Sequence, residues 1–146
     1  MLWISVSFHL VVTYPATMSK NRTMQPDQLA ATEPKISSPL QVTFLIVPRF
    51  NMSTLVTMIE PMRIANYLSP QPIYAWDIVS FDGTEITASN GLFLPAHLPT
   101  ERNRRGEMIF VMGSWGAESY TNKTVFSWIR RQAREGARIC AVELGT

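Results

Sequence analysis

Gln41 to Val47 reads QVTFLIV, a nearly unbroken apolar run rich in β-branched residues, and Pro48 stops it. Such a run predicts a strand buried on both faces, as in a parallel sheet. Leu55, Met58, Ile59, Met62 and Ala65 then recur at steps of three and four, which predicts a helix. Asn51 or Ser53 can cap its start. Pro61 falls inside the pattern and predicts a kink or a new turn there. Tyr74 to Phe81 (YAWDIVSF) predicts a second strand, and Asp82-Gly83 a turn after it. Glu85–Ala88 and Leu92–Pro95 flank Ser89-Asn90-Gly91, and an Asn-Gly step between β-prone runs predicts a hairpin. Glu107 to Met112 is another buried strand, closed by Gly113-Ser114-Trp115-Gly116. Val125, Trp128, Ile129 and Gln132 share one face of a second helix, with Arg130, Arg131 and Arg134 on its solvated side. Gly136 is placed to end that helix. Ala137 to Val142 is the last strand, and Glu143 stands at its end.

The order is strand, helix, strand, hairpin, strand, helix, strand. Alternation of this kind implies right-handed crossovers and a parallel sheet with helices on both faces. Ligands of such sheets bind beyond the carboxyl ends of the strands. Three segments converge there: Pro48 to Asn51, Gly113 to Gly116, and Glu143-Leu144-Gly145.

The flanking sequence has a different character. Met1 to Tyr14 is mostly apolar but lacks a preceding basic stretch, is interrupted by His9, and is shorter than the ~20 apolar residues that span a bilayer. Residues 1–17 read as an upstream extension, with a weak export signal as the competing reading. Residues 18–40 are polar, carry Pro26, Pro34 and Pro39, and hold no period. The division is therefore an extension and disordered linker over 1–40 and one α/β domain over 41–146.

Composition narrows the chemistry. Hydrophobic residues make up 46% and charged ones 16%, the balance of a globular chain rather than a polytopic membrane protein. A net charge of +2 gives no argument for nucleic acid. Arg102, Arg104 and Arg105 lie in a charged loop that reads as solvated. Cys140 is the one cysteine, so no internal disulfide can form, and a reducing compartment such as the cytoplasm is the simpler reading. Met58 and Met62 read as core packing rather than a metal site. No metal-ligand spacing, P-loop or dinucleotide fingerprint occurs, so no metal and no cofactor is assigned.

At FLIVPRFNMSTLVTMIEPMRIANYLS (44–69), YAWDIVSFDG (74–83), ASNGL (88–92), the strand ending in Gly113, and WIRRQAREGARICAVELGT (128–146), the chain resembles a known family. It is similar to the amidotransferase-like (PfpI-type) domain at the N-terminus of a branch of AraC-family transcriptional regulators. Glu60-Pro61-Met62-Arg63-Ile64-Ala65-Asn66 is the most specific piece. The resemblance implies a flavodoxin-like parallel sheet with an inserted β-hairpin, incomplete at the C-terminus, because the helix after the last strand and the later strands are not in the sequence. Such a sheet has an open edge and an uncovered apolar face, so poor stability is expected of the chain alone. The resemblance further implies an effector-sensing domain. DNA would be reached only through a C-terminal helix-turn-helix domain that this sequence lacks, and a homodimer is compatible with this reading.

Enzymes of the wider superfamily carry a cysteine at the tip of a strand-to-helix elbow, where the turn exposes the thiol and the helix N-terminus lowers its pKa. By the resemblance that tip aligns with Glu143, and the superfamily's acidic partner aligns with Thr54. Cys140 lies three residues earlier and reads as a buried structural cysteine. Neither His9 nor His97 has a placed nucleophile. The expectation is a non-catalytic domain. Glu143 can serve merely as a cap, or it can face a ligand, with Trp115 and Tyr120 beside it. A carboxylate among aromatic rings suits a quaternary amine, and some regulators of this branch respond to glycine betaine or carnitine. The candidate ligand-binding set is Glu143, Trp115, Ser114, Gly113, Tyr120 and Asn51. The competing readings are a hydrolase of the same superfamily and a nonfunctional truncated gene product.

Overall fold

The computed structural model describes residues 38–103 and 106–143. All belong to the compact unit Ile36–Thr146. Expectations for residues 1–37, for Arg104 and Arg105, and for Leu144 to Thr146 lie outside the described residues. In chain order the elements are β1 (Leu40–Ile46), α1 (Met52–Leu68), β2 (Tyr74–Ser80), β3 (Ile86–Thr87), β4 (Phe93–Leu94), β5 (Leu98–Pro99), β6 (Met108–Met112), α2 (Lys123–Arg134) and β7 (Arg138–Val142). One 3-10 turn, Ala117–Ser119, precedes α2.

The sheet runs β5-β2-β1-β6-β7, and every pairing in it is parallel. From β1 the chain moves to β2 on one side and later to β6 on the other. The strand order therefore reverses at β1, which makes the carboxyl ends of β1 and β6 the topological switch point. The two crossover helices lie on opposite faces. Val42, Phe44 and Ile46 pack with Leu55, Met58, Ile59 and Met62 of α1, and Phe44 stacks on its register partner Phe110 at 5.4 Å. Leu45, Val79, Ile109 and Val111 pack with Val125, Trp128 and Ile129 of α2. β1 is buried from both sides, which is why its sequence is apolar without alternation.

Local chemistry sets the helix ends. The Asn51 side chain accepts from the Ser53 and Thr54 backbone N–H groups at the start of α1, and Asn122 does the same for Thr124 and Val125 at α2. At the end of α2 the Gly136 N–H bonds the Ala133 carbonyl and the Ala137 N–H bonds the Gln132 carbonyl. Those bonds, with Gly136 at φ 95°, form a Schellman cap. Asn66 clamps the loop into β2: its oxygen accepts from the Ile73 and Tyr74 N–H groups, and its amide donates to the Tyr74 carbonyl.

Three details depart from expectation. α1 runs unbroken through Pro61. The missing N–H leaves the Thr57 carbonyl without its helical donor, and both residues are exposed, so water can serve that carbonyl. β5 was not foreseen, since two residues ending in proline carry no periodicity; Pro99 is tolerated because β5 is an edge. Cys140 is half-buried rather than buried, because β7 pairs with β6 alone among the described residues. The hairpin forms as expected, with Ile86–Leu94 and Thr87–Phe93 paired. Its three-residue loop is closed by the Gly91 N–H to the Ala88 carbonyl, with Gly91 at φ 83°.

Candidate functional site

The carboxyl edge of the sheet gathers the loops after β1 and β6 and the end of β7. At the end of β7, Glu143 has φ 54°, a conformation uncommon for a residue with a Cβ. Its Oε1 accepts a hydrogen bond from the Thr54 hydroxyl at 2.5 Å. Thr54 stands in the first turn of α1, so the Asn51 cap that fixes this turn also fixes the hydroxyl. The carboxylate is exposed. Asn51, a candidate ligand residue, spends its side-chain oxygen on the cap.

After β6 the chain passes through Gly113 and Ser114, both buried, to Trp115, which is 80% exposed. The Ser114 carbonyl accepts from the Ala117 N–H. Gly116 has φ 93° and leads into the 3-10 turn. Tyr120 then packs edge-on to Phe126, with ring centres 6.2 Å apart.

The loop after β1 is the second feature with unusual backbone. The Phe50 N–H bonds the Val47 carbonyl across Pro48 and Arg49, and Arg49 has φ 66°. Proline followed by a positive-φ residue is the pattern of a type II turn, whose third position normally holds glycine. The Arg49 N–H is tied to the Thr87 carbonyl of the hairpin at 2.8 Å. Its guanidinium lies over Gly116, with Nη1 3.9 Å from where a Cβ on that glycine would stand. Two adjoining clefts open around it. One, of about 320 Å³, is lined by Arg49, Ser80, Phe81, Asp82, Glu85 and Tyr120 among others. The other, of about 450 Å³, runs from Arg49 past Gly116 and Ser119 to Asn122.

Electrostatics in the first cleft are set by hydrogen bonding and burial. Asp82 accepts from the Thr84 hydroxyl and backbone N–H through Oδ1, which holds its carboxyl below the ordinary value. Partial burial, reinforced by the charge of Asp82, pushes the Tyr120 phenol up. Asp82 is therefore an anion and Tyr120 a neutral donor at physiological pH.

The structure brings Glu143 to Thr54, and Tyr120 to Arg49 and Asp82. Tyr120 thus lines a cleft whose walls do not include Glu143 or Trp115. In the sequence Arg49 reads only as part of the Pro48 to Asn51 segment at the sheet edge, not as a site residue in its own right. Asp82 was legible only as a turn former, and nothing marks an arginine for positive φ. His97 is used structurally: its Nδ1 accepts from the Ile78 N–H, and its own N–H bonds the Ile78 carbonyl. Among the described residues, no three His, Cys, Asp or Glu side chains cluster to hold a metal, and no helix is long and apolar enough to cross a membrane.

No protein-family model matches the chain. The HTH-type transcriptional regulator GbdR of Pseudomonas aeruginosa is 30% identical over 113 residues, covering 77% of this chain and 31% of that protein. The chain thus spans about a third of the length of the curated relatives it matches. A crystal structure of an AraC family transcriptional regulator from Pseudomonas putida superposes with a TM-score of 0.63 at 19% identity, over 70% of this chain and 64% of that one. A THiJ/PfpI family protein from Pseudomonas syringae superposes with a TM-score of 0.58 at 15% identity, over 88% of this chain and 49% of that one. The two superpositions speak for the fold, a flavodoxin-like sheet of the PfpI type.

Proposed function

Since the chain is a relative of AraC-type helix-turn-helix regulators and carries a PfpI-like fold, we propose that it is the non-catalytic, effector-sensing part of such a regulator, working in the cytoplasm. In this reading DNA contact is made by other parts of the regulator, and this domain takes a small molecule at the carboxyl edge of its sheet. The observation that carries the reading is the residue at the elbow. By the resemblance, superfamily enzymes place a cysteine at this position, whereas Glu143 here has a positive φ and its carboxylate takes a hydrogen bond from Thr54. A carboxylate in a hydrogen bond is no thiolate nucleophile, and Cys140 sits within β7 rather than at the tip.

Glu143 then serves recognition. Its second carboxylate oxygen takes no hydrogen bond from a described residue, and the carboxylate is exposed at the edge where ligands of such sheets bind. The matching chemistry is a cation, and a quaternary amine is the class we assign, with Trp115, exposed after β6, as the candidate aromatic partner. Choline, a quaternary amine without a carboxylate, is the direct probe. Calorimetry should show choline binding to the full chain and weaker binding to Glu143→Gln. Turnover of amide or α-oxoaldehyde substrates that disappears on thiol alkylation would instead favour a hydrolase.

A further inference from the structure

Where β5 begins, the edge of the sheet is tied by a residue with an ionisable ring. The His97 N–H donates to the Ile78 carbonyl at 2.7 Å, and the His97 Nδ1 accepts from the Ile78 N–H at 3.2 Å. Both backbone groups of Ile78 on this side of β2 are thus taken by His97. An Nδ1 that accepts carries no proton, so the ring is the neutral tautomer with its hydrogen on Nε2. The same Nδ1 lies 3.6 Å from Asp77 Oδ1. Asp77 is held through its other oxygen, which accepts from the Gln41 side-chain amide at 3.0 Å. Its Oδ1 takes no hydrogen bond from a described residue. The imidazole is 47% exposed, so protons reach it from solvent.

We propose that His97 is a proton-operated latch on this edge: the neutral ring holds the Ile78 N–H and seats β5, and the protonated ring releases that N–H and turns to Asp77. Protonation places hydrogen on Nδ1, so the ring and the Ile78 N–H become two donors facing each other. Ile78 is buried, and its N–H is then left without an acceptor. A charge-assisted bond to Asp77 Oδ1 takes the place of the neutral one. Asp82, Glu101 and Arg102 line the cleft that His97 borders, but none is within salt-bridge distance of the ring. β1 contributes the neutral Gln41, and Leu98 and Pro99 of β5 carry no charge. Asp77 is therefore the partner. The latch acts beyond its own bond. Thr100, just after β5, donates through its N–H to the Ser80 carbonyl and through its hydroxyl to the Phe81 carbonyl. Pro99 lies against Gly83, where a Cβ would stand 2.8 Å from the proline Cδ. The loop after β2 rests on β5, so releasing β5 in acid loosens Phe81 to Gly83 with it. From about pH 8 down to about 5.5, histidine is the side chain whose charge changes, and hydrogen bonds from Thr84 keep Asp82 ionised throughout that range.

The test is nuclear magnetic resonance of the full chain, titrated from about pH 8 to about 5.5. At the upper end the ring nitrogens should report the Nε2–H tautomer. On acidification the hydrogen-exchange protection of the Ile78 amide, corrected for its intrinsic rate, should fall by about tenfold, with the same midpoint as the His97 ring. The Thr100 amide should lose protection in the same step, while amides of β6 keep theirs. His97→Asn places an amide oxygen near the position of Nδ1 and cannot titrate, so it should hold the Ile78 amide protected at every pH. Asp77→Asn leaves the ring and removes the carboxylate to which it turns, so the step should move to lower pH. His97→Gln repeats the non-titrating substitution with a longer arm, should Asn fail to fold. Ile78 protection that is level across the range, a step that survives in the non-titrating variant, or a neutral ring carrying its proton on Nδ1 would each overturn the proposal.

Discussion

Thr54 and Glu143 stand 89 positions apart in the chain, and the hydroxyl of the first donates to the carboxylate of the second at 2.5 Å. This bond joins the first turn of α1 to the end of the last strand described, across the carboxyl edge of the sheet. Thr54→Val keeps the β-branched shape and removes the donor. The pair is exposed, so chemical denaturation should report a loss of only about 0.5–1 kcal/mol. A loss well above that range would mean that the bond holds the elbow together rather than merely orienting the carboxylate.

Asn66 has a larger structural role. Three backbone groups of the α1–β2 connection depend on its amide. Asn66→Ala should destabilise the domain by about 1–3 kcal/mol, since partly buried N–H and C=O groups lose their partner. Urea unfolding with an unchanged slope and a lower midpoint is the expected result. Asn66→Asp, which retains the acceptor for both N–H groups, should recover most of the loss.

Leu55 is 1% exposed and seals α1 against β1. Leu55→Ala should cost about 2–5 kcal/mol, with the upper end reached if the sheet face does not collapse into the gap. Val56, one residue on and half exposed, gives the contrast. Val56→Ala should move the midpoint by no more than about 0.5 kcal/mol. Comparable effects at the two positions would contradict the assigned face of α1.

The stability of the loop after β2 should depend on acid. Hydrogen bonds from Thr84 lower the Asp82 pKa in the folded state, so the unfolded chain binds the proton more readily. The stabilisation is therefore present above the ordinary carboxylate value and is lost as pH falls through the lower folded value. Thermal melts followed down from neutral pH should show Asp82→Asn losing less on acidification than the unmodified chain. Parallel pH profiles would remove Asp82 from the account.

Much of this architecture is legible in the sequence, for a physical reason that also marks where legibility ends. β1 and β6 are buried on both faces, so their apolar runs are strong signals. α2 declares itself through the buried stripe of Val125, Trp128 and Gln132, capped by Asn122 and Gly136. β5 is two residues held by the bond from the Thr100 N–H to the Ser80 carbonyl and by its neighbours, and no pattern that short can be read. Positive φ is signalled by glycine, so Gly91 and Gly136 were legible and Arg49 was not. The Thr54–Glu143 pairing depends on chain closure over the whole domain, and only the family resemblance put the two positions together. Tyr120 was expected beside Glu143 from strand-end adjacency alone. The 3-10 turn and the T-shaped contact with Phe126 carry it toward Arg49 instead.

The most direct measurement of the central claim is a calorimetric titration of choline into the unmodified chain and into Glu143→Gln. A recognition carboxylate at the elbow predicts binding that weakens by about tenfold or more in the variant, with choline recovered chemically unchanged. Equal affinity in the two proteins would contradict a sensing role for Glu143.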